Sequence, residues 1–194
     1  MSDPERRARW NERWTRRDYG DAAPARVVVD HAYLLPEGGE VLEIACGLGV
    51  NALHLAAAGF RVTAWDYAET AISRLRDEAA RRDLEVRAEV RDAVARPPAP
   101  ASCDGLVVTR FLERDLCPAL AAALRPGGVL CYQSFVREAV SDAGPQDEGF
   151  RFAPNELLRL FPDLRVLVYR DEGRAGDTGR GFRDESLLVA RRED

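Results

Sequence analysis

The segment from Val41 to Ala58 constrains the fold more than any other. Val41, Leu42, Glu43, Ile44 and Ala45 form a short, mostly apolar run. Such a run suits a strand buried on both faces. Gly47 and Gly49 interrupt it, a helical pattern follows over 51–58, and Gly59 closes that pattern. A buried strand passing through a glycine turn into a helix is the opening unit of a parallel sheet. The bare backbone of that turn also lets amide groups approach an anionic or zwitterionic ligand.

The same alternation recurs downstream. Strands are expected at 61–65, 84–90, 106–109 and 129–135, and helices at 69–82 and 115–124. The stretch 96–100, with Pro97, Pro98 and Pro100, is an extended connector in which no helix can form. Pro126, Gly127 and Gly128 turn the chain into the fifth strand. Upstream lie two helical stretches, 6–17 with Trp10 and Trp14 on one face, and 24–35. The last quarter differs: a polar loop at 137–149, a short helix at 155–161, and strands at 164–169 and 186–190. The Gly-rich stretch 173–181 joins those two strands as a hairpin. Strand–helix alternation points to a parallel sheet with helices on both faces, and ligands of such sheets bind at the carboxyl ends of the strands.

With 194 residues the chain has room for one domain. A net charge of -5 disfavours a general nucleic-acid binder. All 28 basic side chains are arginine, which removes lysine Schiff-base chemistry and a Walker-type phosphate lysine. No stretch reaches the length of a membrane span, and the charged start is not a secretory signal. Cys46, Cys103, Cys117 and Cys131 show neither zinc nor redox spacing. They are expected to be reduced, in a cytoplasmic protein.

Three acids sharpen the functional reading. Glu43 lies inside the first strand, Asp66 closes the second and Asp92 closes the third, so all three fall near one carboxyl edge. A carboxylate after the second strand can accept both hydroxyls of a ribose. One after the third can accept from an exocyclic amine. Glu43 can support the turn or face an ammonium group. The competing reading is that Asp66 and Asp92 cap the helices that follow.

This combination, with Gly127 and Gly128 before the fifth strand, resembles the class I S-adenosylmethionine-dependent methyltransferases. The run 51–56, Gly59 with 62–64, Trp10 with Trp14, and 114–120 are similar to the tellurite-resistance and thiopurine methyltransferase branch. Val50 and Ala68 depart from it, standing where that branch often has arginine and serine.

The resemblance implies a single α/β domain: a doubly wound, Rossmann-like, mostly parallel seven-stranded sheet with helices on both faces and a C-terminal antiparallel hairpin. Residues 1–36 would form a helical cap over the active site, and 37–194 the core. The cofactor would be S-adenosylmethionine and its product S-adenosylhomocysteine. Glu43, Ala45, Cys46, Gly47, Gly49 and Asn51 would surround its methionine part. Asp66 would hold the ribose, with Tyr67 beside the adenine and Asp92 and Ala93 at its edge. Thr109 and Arg110 would lie near the sulfonium, and Trp14 would close over the cofactor.

The small-molecule acceptor would meet Tyr19, Arg110, Phe111, Phe135, Arg137 and Arg151. No catalytic triad is legible, and neither His31 nor His54 is placed as a base. A soft nucleophile (sulfur, selenium or tellurium) needs no base, so such an acceptor is favoured. No metal and no nucleic-acid partner is expected. Two readings compete. Gly47, Gly49 and Ala52 also match a dinucleotide fingerprint, which would make a nicotinamide-dependent oxidoreductase. A non-catalytic S-adenosylmethionine-binding module is the other.

Overall fold

A computed structural model describes residues 3–193. Its centre is a seven-stranded sheet in the order β3-β2-β1-β4-β5-β7-β6. The strands are β1 (Glu40–Ile44), β2 (Arg61–Asp66), β3 (Val86–Val90), β4 (Cys103–Thr109), β5 (Leu124–Phe135), β6 (Arg165–Arg170) and β7 (Glu185–Arg191). The first five run parallel, while β7 lies antiparallel to both β5 and β6. The helices are α1 (Asp3–Arg16), α2 (Arg26–His31), α3 (Val50–Ala57), α4 (Glu69–Arg81), α5 (Cys117–Ala123) and α6 (Glu156–Leu160). This is the mixed, mostly parallel sheet expected from the alternation, with the antiparallel pair at its end.

Burial follows strand periodicity. On one face, Val41, Val62, Ala64 and Val107 pack against Val27, Val28, Leu53, Leu55, Ile72 and Leu75 of α2, α3 and α4. On the other, Leu42, Ile44, Leu106, Val108 and Tyr132 pack against Leu116, Leu120, Leu157 and Phe161 around α5 and α6. Each large aliphatic side chain removed from water contributes about 1.5–3 kcal/mol. Glu43 shares the side of Val41 in β1, so its carboxylate is carried toward α3. All four cysteines are free and buried.

Several boundaries differ from expectation; β4, for instance, begins at Cys103 rather than 106, and β3 at Val86 rather than 84. The second helical stretch is shorter, α2 ending at His31 and passing into a 3-10 turn, Ala32–Leu34. The helix expected from 115 starts as a 3-10 turn, Arg114–Leu116, with Pro118 at the front of α5. The turn at 126–128 is not a boundary, because β5 already pairs through Leu124 with Cys103. Gly127 and Gly128 sit in an irregularity, where their backbone bonds with that of Arg192. Residues 91–102 contain no helix, as their prolines require. Among the described residues, no helix is long and apolar enough to cross a membrane.

Gly49 shows how tightly the turn meets the core. Its φ is 68°, and a Cβ there would lie 2.5 Å from both Cδ atoms of the fully buried Leu75. Gly49→Ala is expected to cost about 1–3 kcal/mol, through left-handed strain and overpacking. Urea unfolding of wild type and variant checks it.

Candidate functional site

The glycine turn is held from below. Glu43 is fully buried at the end of β1. It accepts from Asn51 Nδ2 at 2.8 Å and from the backbone N–H of Ala52 at 3.0 Å. The second bond satisfies one of the orphan donors of the first turn of α3. Burial pushes the Glu43 carboxyl up to about 8, against the opposing pull of these two bonds. Asn51 extends the web. Its Oδ1 accepts from Ala25 N–H at 2.7 Å, and its Nδ2 also donates to Thr109 Oγ1 at 3.0 Å. One carboxylate and one amide thus lock together β1, β4, α3 and the entry to α2. Of the two roles open to Glu43 in the sequence, support of the turn is the one its contacts fill.

Asp66 holds the turn from the side. Its Oδ2 accepts from Gly47 N–H and its Oδ1 from Ala68 N–H, both at 2.8 Å. Burial raises its pKa, and its backbone bonds counter that. Neither Asp66 nor Asp92 caps a helix by side chain. Ala68, the N-cap of α4, has no side-chain cap bond, and Asp92 Oδ1 accepts from Val94 and Ala95 in a turn with no helix behind it. Arg91 N–H donates to Asp66 O at 2.9 Å, which sets the start of the Asp92 turn beside the end of β2. Ala93 is buried there. Tyr67 follows Asp66, and the guanidinium groups of Arg6 and Arg7 lie over its ring at 5.7 and 5.6 Å. Ala45 adopts a left-handed backbone (φ 53°) as the strand enters the turn. Cys46 is buried, and burial holds its thiol well above the ordinary range, so it is an inert packing group. Trp14 of α1 rests on Gly47.

A separate cavity of 490 Å³ opens where β4, β5 and β7 end. Its polar floor is Gln133, Glu185 and Arg110. Arg110 has a left-handed backbone (φ 53°), and its Nε donates to Glu185 Oε1 at 3.0 Å. Gln133 Nε2 donates to the other Glu185 oxygen, while Gln133 Oε1 accepts from Val27 N–H at 2.8 Å. The Arg110 side chain remains half exposed. Arg17, Asp21 and Arg26 form the opposite wall.

Of the six acceptor candidates, only Arg110 lines this cavity. Tyr19 lies against the glycine turn instead, donating to Leu48 O at 2.9 Å, with its hydroxyl pushed up to about 12 by burial. Phe111 packs on the α5–α6 side of the core. Phe135 is half buried and carries the Arg151 guanidinium over its ring at 5.8 Å. Arg151 is committed to the loop, donating to the carbonyls of Val136, Ala143 and Pro145. Arg137 is exposed. Sequence reasoning missed Gln133 and Glu185. The available signal was a glutamine inside an otherwise apolar strand and an acid at the head of the last one.

A family model described as "methyltransferase domain" matches residues 41–128. A probable S-adenosyl-L-methionine-dependent methyltransferase, TehB of Haemophilus influenzae, is 28% identical over 150 residues, covering 74% of this chain and 52% of that protein. The crystal structure of TehB from Haemophilus influenzae superposes with a TM-score of 0.72 at 26% identity, over 90% of this chain and 64% of that one. Residues 41–128 thus carry a methyltransferase domain, and the chain is similar to TehB over most of its length. A structure described as converting a disulfide bond into a thioacetal group during echinomycin biosynthesis also matches. Its TM-score is 0.67 at 26% identity, over 88% of this chain and 82% of that one. The chain spans about half the length of the curated relatives it matches.

Proposed function

We propose that the chain transfers a methyl group from S-adenosylmethionine to a small-molecule acceptor with a soft nucleophile, by positioning the two for in-line displacement. The observation that carries this reading is Asp66 bonded to Gly47 at the carboxyl edge of β1 and β2. A carboxylate oxygen can accept twice. Asp66 accepts from the backbone at Gly47, Ala68 and Tyr67, and the acceptor capacity that remains suits a ribose hydroxyl. The bare backbone from Cys46 to Gly49 suits the amino-acid end of the ligand, and Tyr67, Asp92 and Ala93 suit the adenine. When bound, S-adenosylmethionine supplies an electrophilic methyl on a sulfonium cation.

This chain's own residues then have three tasks. Glu43 and Asn51 hold the turn rigid. Thr109, fixed by Asn51, and Arg110 set the wall between the turn and the 490 Å³ cavity. The cavity, lined by Arg110 and Arg17, takes the acceptor. Orientation of this kind lowers a barrier by roughly 7–11 kcal/mol without a general base. A thiolate, selenide or telluride needs none, which supports the soft acceptor, and a cytoplasmic setting keeps such nucleophiles reduced.

Calorimetry is expected to show micromolar binding of S-adenosylhomocysteine and no binding of reduced nicotinamide cofactors. A panel of thiols and selenium and tellurium oxyanions, followed by release of S-adenosylhomocysteine, is expected to contain a substrate. Absence of heat with either S-adenosyl ligand refutes the reading. Tight binding without turnover across the panel would leave a binding module instead.

A further inference from the structure

We propose that the outer edge of β3 is a pairing surface for a second copy of this chain, and that Arg76 holds it closed. β3 stands at the end of the sheet order, with β2 on one side and no strand on the other. Arg91 N–H donates to Asp66 O, which turns the backbone groups of residue 91, and with it 87 and 89, toward β2. The N–H and C=O groups of Val86, Ala88 and Val90 therefore face outward. An open row of this kind is a template for another strand.

The sequence of this edge is complementary to itself. A second copy related by a two-fold axis through Ala88 lies antiparallel, with Ala88 opposite Ala88 and Val86 opposite Val90. These are the outward-facing residues, so each such pair exchanges backbone hydrogen bonds in that register. Arg87 of each copy then stands opposite Glu89 of the other, at the positions where side chains across a strand pair come closest. Glu85 faces Arg91 in the same way. Moving the register by two residues either way sets like charges opposite each other, Glu89 against Glu89 or Arg87 against Arg87. The charges thus select one register.

The face that carries them is open. Glu89 pairs with Trp65 in register, and residues 91–102, which lead from β3 to β4, form no helix to cover that side. A cavity of 230 Å³ lies there, with Thr63, Trp65, Arg87, Glu89 and Arg91 in its wall. Val90, at the edge itself, is 37% exposed.

The edge is shut at its midpoint. Arg76 of α4 reaches over it and donates from Nε and Nη2 to Ala88 O at 3.1 and 2.6 Å. Pairing across the two-fold axis needs that same carbonyl from both copies. Arg87 and Glu89 meanwhile pair with each other at 2.6 Å. Arg76 is exposed, so its hold is one that a surface side chain can release. A five-residue edge buries too little area for a tight dimer, so one freed carbonyl per copy shifts the balance between single and paired chains.

The test is sedimentation velocity of the full chain over a wide concentration series, comparing wild type with Arg76→Ala and Arg76→Met. Both replace an exposed side chain, and circular dichroism checks that each is folded. Self-association at least about tenfold tighter than wild type is expected in both, since each copy no longer has to break a charge-assisted hydrogen bond. Adding either Arg87→Glu or Glu89→Arg to Arg76→Ala sets like charges opposite and should abolish that gain. Mixing the two double variants should restore it, because the acidic edge of one then meets the basic edge of the other. No difference between wild type and the Arg76 variants overturns the proposal. So does association that survives both charge changes, or a mixture that stays unpaired, because a different surface is then responsible.

Discussion

Asp66→Ala is expected to weaken S-adenosylhomocysteine binding by about 5- to 150-fold, the loss of 1–3 kcal/mol of hydrogen bonding to the ribose. The same change strips the acceptor from Gly47 N–H and Ala68 N–H. Each buried amide left unpaired costs about 1–3 kcal/mol, so the protein should also unfold at lower denaturant. Asp66→Asn separates the two effects. Its amide oxygen retains one acceptor, so stability should recover further than affinity, because a ribose gripped by two oxygens needs both. Titration calorimetry beside urea unfolding reads both quantities. Affinity that survives Asp66→Ala would remove this carboxylate from the ligand site.

Glu43→Ala is expected to cost about 4 kcal/mol, since Asn51 Nδ2 and Ala52 N–H both lose their buried acceptor and a void opens beneath the turn. Loss of this anchor should also lower S-adenosylhomocysteine affinity, because the turn that must meet the ligand is no longer fixed. The pH dependence has a definite sign. Burial raises this carboxyl from 4.5 to about 8, so the folded state binds the proton more tightly than the unfolded chain. Its contribution to stability is fully present below about 4.5 and is lost as pH rises toward 8. Stability of wild type should therefore decline across that window. In Glu43→Gln, which cannot ionise, this part of the decline should vanish. Unfolding curves at a series of pH values measure the difference, and parallel curves for the two proteins would contradict it.

Much of the sheet was legible because its cues are local. Apolar runs at Val41–Ile44 and Leu106–Val108, the glycines after β1 and the prolines at 97, 98 and 100 mark elements without reference to distant residues. Boundaries slipped where a distant partner decided them. Leu124 joins β5 through its pairing with Cys103, which no pattern around Leu124 announces. The glycine-turn region was legible for the same local reason, since Glu43, Gly47, Gly49 and Asn51 lie within nine residues of one another. The 490 Å³ cavity was not. Arg17, Arg110, Gln133 and Glu185 come from four separate parts of the chain; Arg110 was named from the sequence, whereas the other three look like ordinary strand or surface residues in their own neighbourhoods. Arg151 shows the reverse error, a cation that suggests an anion site but spends its donors on three loop carbonyls.

By itself, the sequence determined the alternation of strands and helices, the glycine turn and the acids in or just after the first three strands. Periodicity and backbone freedom act over a few residues and need no folded partner. Only the tertiary structure decided that Glu43 faces inward to Asn51, that Glu185 meets Arg110 across 75 residues, and that Trp14 lies on Gly47. Those outcomes depend on which surfaces packing brings within hydrogen-bond range, and contact between residues remote along the chain is fixed by the fold as a whole.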